Sequence, residues 1–133
     1  MITIPKKIYE AMIRHSKECY PSEACGILAG KTRARNDYFF PMRNMDVSSI
    51  SYFMDPKEQL RVFKEMRELE VEMTGIFHSH VASQAYPSQK DVRLAFYPNV
   101  SYLIVSLADM ENPALRSFTI QDEIVVEEEI KID

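Results

Sequence analysis

Apolar positions recur at helical spacing in two stretches of the chain. Ile8, Met12 and His15 or Cys19 share one face, which predicts a helix from about Pro5 to Cys19. Pro5 stands near the first turn, where a missing N–H costs nothing, so Thr3-Ile4-Pro5 reads as the start of that helix and Tyr20-Pro21-Ser22 as its end. Val62, Met66, Leu69 and Met73 repeat in the same way, with Leu60 and Phe63 beside them. They follow Asp55-Pro56-Lys57-Glu58, which supplies an N-cap, a proline at the first helical position and an acid at the third.

The remaining apolar runs are short. Cys25–Gly30 suits a buried strand, Lys31–Asn36 a charged turn and Asp37–Met42 a second strand. Arg43–Met54 carries Asn44, Asp46, Ser48, Ser49 and Ser51, which predicts irregular backbone with a short strand at Ile50–Met54. Gly75-Ile76-Phe77 reads as a strand running into His78, and Ser88–Tyr97 as another capped helix. Val100–Leu107, Leu115–Gln121 and Ile124–Ile132 read as strands. This order predicts an α/β fold, a mixed sheet with helices packed on it.

Composition narrows the classes. A length of 133 residues predicts one domain over 1–133, and 46% apolar with 27% charged residues is an ordinary globular balance. The net charge is −4, from 16 basic and 20 acidic side chains, and Glu127-Glu128-Glu129 would repel phosphate, so no nucleic acid partner is expected. No window approaches the ~18–20 apolar residues that span a bilayer, and Met1–Lys7 has no apolar core of a secretory signal. Neither a membrane association nor export is expected. Cys19 and Cys25 are too few for a disulfide framework, so a reduced, cytoplasmic protein is expected.

The chemistry concentrates in His78-Ser79-His80, seven further residues, then Ser88-Gln89-Lys90-Asp91. In an extended segment residues i and i+2 share a face, so His78 and His80 present two imidazoles together while Ser79 points away. Asp91 falls in the first turn of the helix beginning near Ser88. Two neutral imidazoles and one carboxylate make a three-ligand Zn²⁺ site with a fourth position left for water, the catalytic pattern. Bound zinc lowers the pKa of its water from 15.7 to about 7. Glu23, just before the Cys25–Gly30 run, can serve as the base if that strand lies beside Gly75–Phe77. Ser88 can hydrogen-bond the oxyanion formed when water attacks a carbonyl.

Each part has a plainer reading. Ser88-x-x-Asp91 is a capping box, a His-x-His pair also occurs at strand edges, and an isolated Glu is most often a surface carboxylate. The combination is the informative feature. His-x-His-x₇-Ser-x₂-Asp would arise by accident in roughly 3 of 10,000 chains of this composition. His15 reads as a structural histidine, Cys25 as a buried apolar residue and the methionines as core fillers. Tyr86 reads either as a cleft residue or as a loop anchor.

The run from His78 to Asp91, with the upstream Glu23-x-Cys25-Gly26-x-Leu28-x-Gly30 stretch, resembles the signature of the JAMM or MPN+ metalloprotease family. The resemblance implies that His78, His80 and Asp91 bind zinc, that Glu23 is the general base and that Ser88 steadies the tetrahedral intermediate. It also implies the family's curved mixed β-sheet with flanking helices, similar to cytidine deaminases. Many members carry Pro after the second His; here Val81 stands there, and the Val81–Ser88 text resembles the small prokaryotic branch. Asn44, Asp55-Pro56 and Tyr86-Pro87-Ser88 resemble the Mec-type sulfur-carrier peptidases of that branch, and no extension that would dock a ubiquitin chain is expected.

That resemblance implies hydrolysis of an amide after the C-terminal Gly-Gly of a ubiquitin-like or sulfur-carrier protein, and a homodimer, for which the sequence marks no apolar seam. A Gly-Gly tail can add as a strand to an exposed edge. Ser49–Met54 is the candidate edge, with Ser51, Tyr52 and Phe53 as substrate-binding residues; an ordinary surface loop is the other reading. Two alternatives compete with the hydrolase. One is a mononuclear Fe(II) oxygenase using the same two His and one carboxylate, the other a non-catalytic binding scaffold.

Overall fold

The computed structural model describes residues 1–133. In chain order the elements are β1 (Ile2–Ile4), α1 (Lys6–Cys19), β2 (Cys25–Gly30), β3 (Tyr38–Met42), α2 (Pro56–Leu69), β4 (Glu72–His80), α3 (Gln89–Arg93), β5 (Ser101–Ser106), β6 (Ala114–Gln121), β7 (Ile124–Glu128) and β8 (Ile130–Ile132). Six strands form one mixed sheet in the order β3-β2-β4-β5-β6-β7. The β4–β5 pair is parallel and the other neighbours are antiparallel. The expected α/β architecture is therefore observed.

The period of two in the strands divides the core between the two faces of the sheet. On one face, Ile8 and Met12 of α1 pack on Leu28, Phe77, Leu103 and Val105. On the other, Val62 and Met66 of α2 pack on Cys25, Ile27, Ala29 and Met42. Beside α2 lies a third cluster that includes Tyr102, Ile104, Phe118 and Ile120. Phe77 faces α1, so its alternates His78 and His80 face the opposite side at the carboxyl end of β4. The chain then crosses through α3 to the parallel neighbour β5. In open α/β sheets, ligand crevices form outside the carboxyl ends of such strands.

Several boundaries differ from the pattern reading, each for a long-range reason. Ile2–Ile4 is not a lead into the first helix. It is a strand paired in parallel with β8, with Ile2 and Ile4 fully buried, and Pro5 is the helix N-cap. The single strand expected over Ile124–Ile132 breaks at Glu129, whose carbonyl accepts from Ile2 N–H as the chain leaves the six-stranded sheet. Met73 belongs to β4 rather than to the helix. That helix stops at Leu69, where Glu70 adopts the left-handed conformation (φ 57°, ψ 44°) that glycine usually supplies.

The helix expected over Ser88–Tyr97 is only the Gln89–Arg93 turn. Leu94 and Phe96 are exposed, so no apolar contact rewards its continuation. No strand forms at Ile50–Met54; a single bridge joins Met54 to Asn44. No helix is long and apolar enough to cross a membrane.

Gly30 closes β2 against the backbone of the following turn, where a Cβ would overlap the Arg35 carbonyl. Gly30→Ala is expected to lower stability by about 1–3 kcal/mol through overpacking, read as a shift of the urea unfolding midpoint. An unshifted midpoint would show that the turn yields freely.

Candidate metal centre

The strand register brings the site residues together. Cys25 of β2 pairs with His78 of β4. One step on, Ser79 N–H donates to the Ala24 carbonyl (3.0 Å) and Ala24 N–H donates to Ser79 Oγ (2.8 Å). Ser79 thus turns away from the imidazoles, as the alternation predicts, and Glu23 arrives alongside His80. Asp91 comes from the first turn of α3, whose start is a complete capping box. Asp91 N–H donates to Ser88 Oγ (3.1 Å) and Ser88 N–H to Asp91 Oδ2 (2.9 Å). The cap holds the carboxylate facing back toward β4.

Three atoms converge: His78 Nε2, His80 Nε2 and Asp91 Oδ2, each 3.1 Å from the other two. Both histidines are buried, 2% and 5% exposed. His80 Nδ1 lies 2.8 Å from the Gln84 carbonyl, which can only accept, so that nitrogen carries the proton and Nε2 of a neutral ring is a bare lone pair. It points at a carboxylate oxygen, which is also an acceptor. His78 Nδ1 is buried with no partner.

A set of acceptors facing one another in a buried place fits a cation. Zinc ligands at ~2.0–2.1 Å in a tetrahedron lie about 3.3 Å apart, close to the observed spacing, and the nitrogen-and-oxygen donor set is one that zinc accepts.

The electrostatics agree. Burial would raise the Asp91 carboxyl, but the two imidazoles set against it, His78 and His80, outweigh burial and hold Asp91 well below the usual carboxylate range. Burial lowers His78, favouring the neutral ring that ligates metals. Burial also opposes charge on His80, but its bonds to Asp91 and the Gln84 carbonyl prevail and the net shift is upward.

Glu23 is 5% exposed, and burial pushes its carboxyl up to about 7, against the opposing pull of His80 and with the help of Asp91. A cleft of about 370 Å³ opens here, lined in part by Glu23, His80, Ser88, Ser49 and Ile50. Ser88 Oγ accepts from the helix backbone, so its own proton remains free to donate into that cleft.

The expected substrate segment is less uniform than its sequence suggests. Ser51 O, Phe53 N–H and Phe53 O all turn inward to Asn44 and Met45. The ring of Tyr52 stacks on His78, with centroids 4.8 Å apart, and belongs to the core beneath α2. The N–H and C=O of Tyr52 make no hydrogen bond within the chain. The Phe53 side chain is exposed.

Glu23, His78, His80, Ser88 and Asp91 are therefore gathered as the sequence predicts. The Gln84 carbonyl that sets the His80 tautomer carries no local signal, and while the sequence marks Tyr52 and Asn44, it marks neither the ring stacked on His78 nor the amide bonded to Glu23 and Ser51. Tyr86 anchors its loop, its ring edge-on to Phe118 (5.3 Å) with the Arg116 guanidinium near both. His15 is structural, its Nε2 on the Cys25 carbonyl at 3.1 Å. Burial pushes the Cys25 thiol up to about 12, which leaves it unreactive.

Comparison with known proteins adds an independent line. The family model described as prokaryotic homologs of the JAB domain matches residues 5–121. The chain is 38% identical over 133 residues to the CysO-cysteine peptidase of Mycobacterium tuberculosis, spanning 99% of this chain and 91% of that protein. It is 38% identical over 84 residues to the desampylase of Pyrococcus furiosus, spanning 63% of this chain and 59% of that one. Among solved structures, a protein of Desulfitobacterium hafniense superposes with a TM-score of 0.92 at 44% identity, covering 100% of this chain and 93% of the other.

Titration of the metal-free protein with Zn²⁺ is expected to fill about one site per chain. His80→Ala should weaken it by at least about tenfold, the loss seen when even an outer-shell partner of a ligand is removed. Unchanged affinity in that variant would place the cation elsewhere.

Proposed function

The chain belongs to the family of prokaryotic homologs of the JAB domain, and from that premise we propose that it is a zinc-dependent peptidase. In this reading it hydrolyses the amide after the C-terminal Gly-Gly of a ubiquitin-like or sulfur-carrier protein in the cytoplasm. The observation that carries the reading is the triangle of His78 Nε2, His80 Nε2 and Asp91 Oδ2 with 3.1 Å sides, beside a buried Glu23. His78, His80 and Asp91 would hold the zinc. When bound, it would act as a Lewis acid that lowers the pKa of a water toward neutrality.

The other steps fall to side chains of this protein. Glu23, with a carboxyl near 7, is matched to take a proton from water and return it to the departing nitrogen. Ser88 donates its free hydroxyl proton to the oxyanion that develops on the attacked carbonyl; its capped position fixes the direction of that bond beforehand. Tyr52, two residues on from the cleft-lining Ile50, offers an unpaired N–H and C=O, the pair of groups an extended peptide uses when it adds along an edge. A Gly-Gly tail suits the approach because it brings no side chain of its own into the cleft. Ser51 and Phe53 support that edge from within, since the Ser51 carbonyl and both backbone groups of Phe53 are already bonded. Similarity to a CysO-cysteine peptidase over nearly the whole chain supports cysteine as the released group. The complete donor set and the neighbouring base favour this reading over a binding scaffold or an oxygenase.

The test is incubation of the zinc-loaded protein with a ubiquitin-like carrier ending Gly-Gly-Cys, followed by mass spectrometry. The wild type is expected to release cysteine. Glu23→Gln should lower kcat about 10²- to 10⁴-fold while keeping about one zinc per chain. An intact carrier after incubation with the wild type contradicts the hydrolase reading; undiminished turnover by Glu23→Gln removes Glu23 as the base.

A further inference from the structure

Asn44 lies outside the cleft, is 9% exposed, and has every hydrogen-bonding group of its amide engaged. Nδ2 donates to the carbonyls of Glu23 (3.1 Å) and Ser51 (3.0 Å). Oδ1 accepts from the N–H of Asp46 (3.0 Å) and of Phe53 (3.0 Å). One side chain thus ties together Glu23, two residues ahead of β2, the start of the 45–53 loop and the far limb of that loop. Two backbone bonds run parallel to it: Glu23 N–H to the Ser48 carbonyl (2.7 Å) and Met45 N–H to the Phe53 carbonyl (2.8 Å).

This arrangement has a specific consequence for Glu23. The sheet ladder between β2 and β4 begins at Cys25, and the bonds just before it belong to Ala24. Glu23 therefore has no ladder partner of its own. Its N–H and its C=O are both held by the 44–53 segment, through Ser48 and Asn44. The same amide turns Ser51 O and Phe53 N–H inward, which leaves the groups of Tyr52 facing out.

We infer that Asn44 is a positioning residue that fixes the Glu23 carboxylate relative to the three-donor cluster and, in the same network, orients the Tyr52 edge. This rests on the hydrolase reading above. Asn44 touches none of the three donors, so its contribution is to the placement of the base and the tail rather than to cation binding.

Asn44→Asp has nearly the same shape. It keeps the oxygen for Asp46 and Phe53 but replaces both donor bonds to Glu23 and Ser51 with facing acceptors. A displacement of the base by an ångström is enough for a loss on the order of 10²-fold. The expected result on the Gly-Gly-Cys carrier is a kcat lowered about 10- to 100-fold and a raised KM, with zinc stoichiometry unchanged. In a Glu23→Gln background, where no base remains to be misplaced, the same change should lower the residual kcat less than about twofold.

A residue that only stabilised the fold would lower kcat equally in both backgrounds. Asn44→Ala, which leaves room for water to meet the exposed carbonyls, is measured alongside, and whichever variant keeps the wild-type circular dichroism is used. Equal losses in the two backgrounds, or an unaltered kcat in an active wild-type system, overturn the inference alone. A wild type that does not cleave the carrier overturns the hydrolase reading, and the positioning role with it.

Discussion

Two imidazole nitrogens and one carboxylate oxygen, mutually 3.1 Å apart, the rings buried and the carboxylate partly so, are the constraint on which the site depends. With both rings neutral, the protons available cannot satisfy all three contacts, because the His80 proton is already committed to the Gln84 carbonyl. Buried acceptors aimed at one another cost free energy unless something positive lies between them. A divalent cation resolves the conflict, and so, less completely, does an imidazolium at His80. The surrounding structure resists relaxation: His78 is packed beneath the Tyr52 ring, and Asp91 is locked by its capping box.

The fold supplies that rigidity from unrelated directions. The histidines come from the carboxyl end of a strand with sheet neighbours on both sides, the aspartate from a short helix, and the glutamate from two residues ahead of an adjacent strand. Each is held by backbone geometry more than by the others. Burial pushes both carboxyls upward, but the net outcomes differ. Asp91, paired with both rings, stays ionised, while Glu23, farther from compensating charge, rises to about 7. Two acids separated in this way can divide ligation from proton transfer.

Much of the site was legible in the sequence, because its parts are local and its chemistry needs fixed residue types. The alternation of His78 and His80, the cap at Ser88 and the acid at Asp91 are all short-range features, and the helix beginning at Pro56 announces itself through Asp55. What stayed hidden depends on contacts distant in sequence. β1 exists because β8 returns to pair with it, and the second helix stops at a left-handed Glu70 that carries no glycine signature. Arg43–Met54 reads as irregular, and so it is. The order in that segment comes from the Asn44 amide rather than from a ladder, and no periodicity records such a network. Tyr52, expected at the substrate edge, divides its roles: the ring is packed on His78, and only the backbone is free.

X-ray absorption at the zinc edge of the zinc-loaded protein reads the donor set itself. Four nitrogen and oxygen neighbours near ~2.0–2.2 Å are expected, with an imidazole scattering pattern that fits two rings. A sulfur neighbour near ~2.3 Å, or a spectrum that stays the same when His78 and His80 are both replaced by Ala, would contradict that donor set.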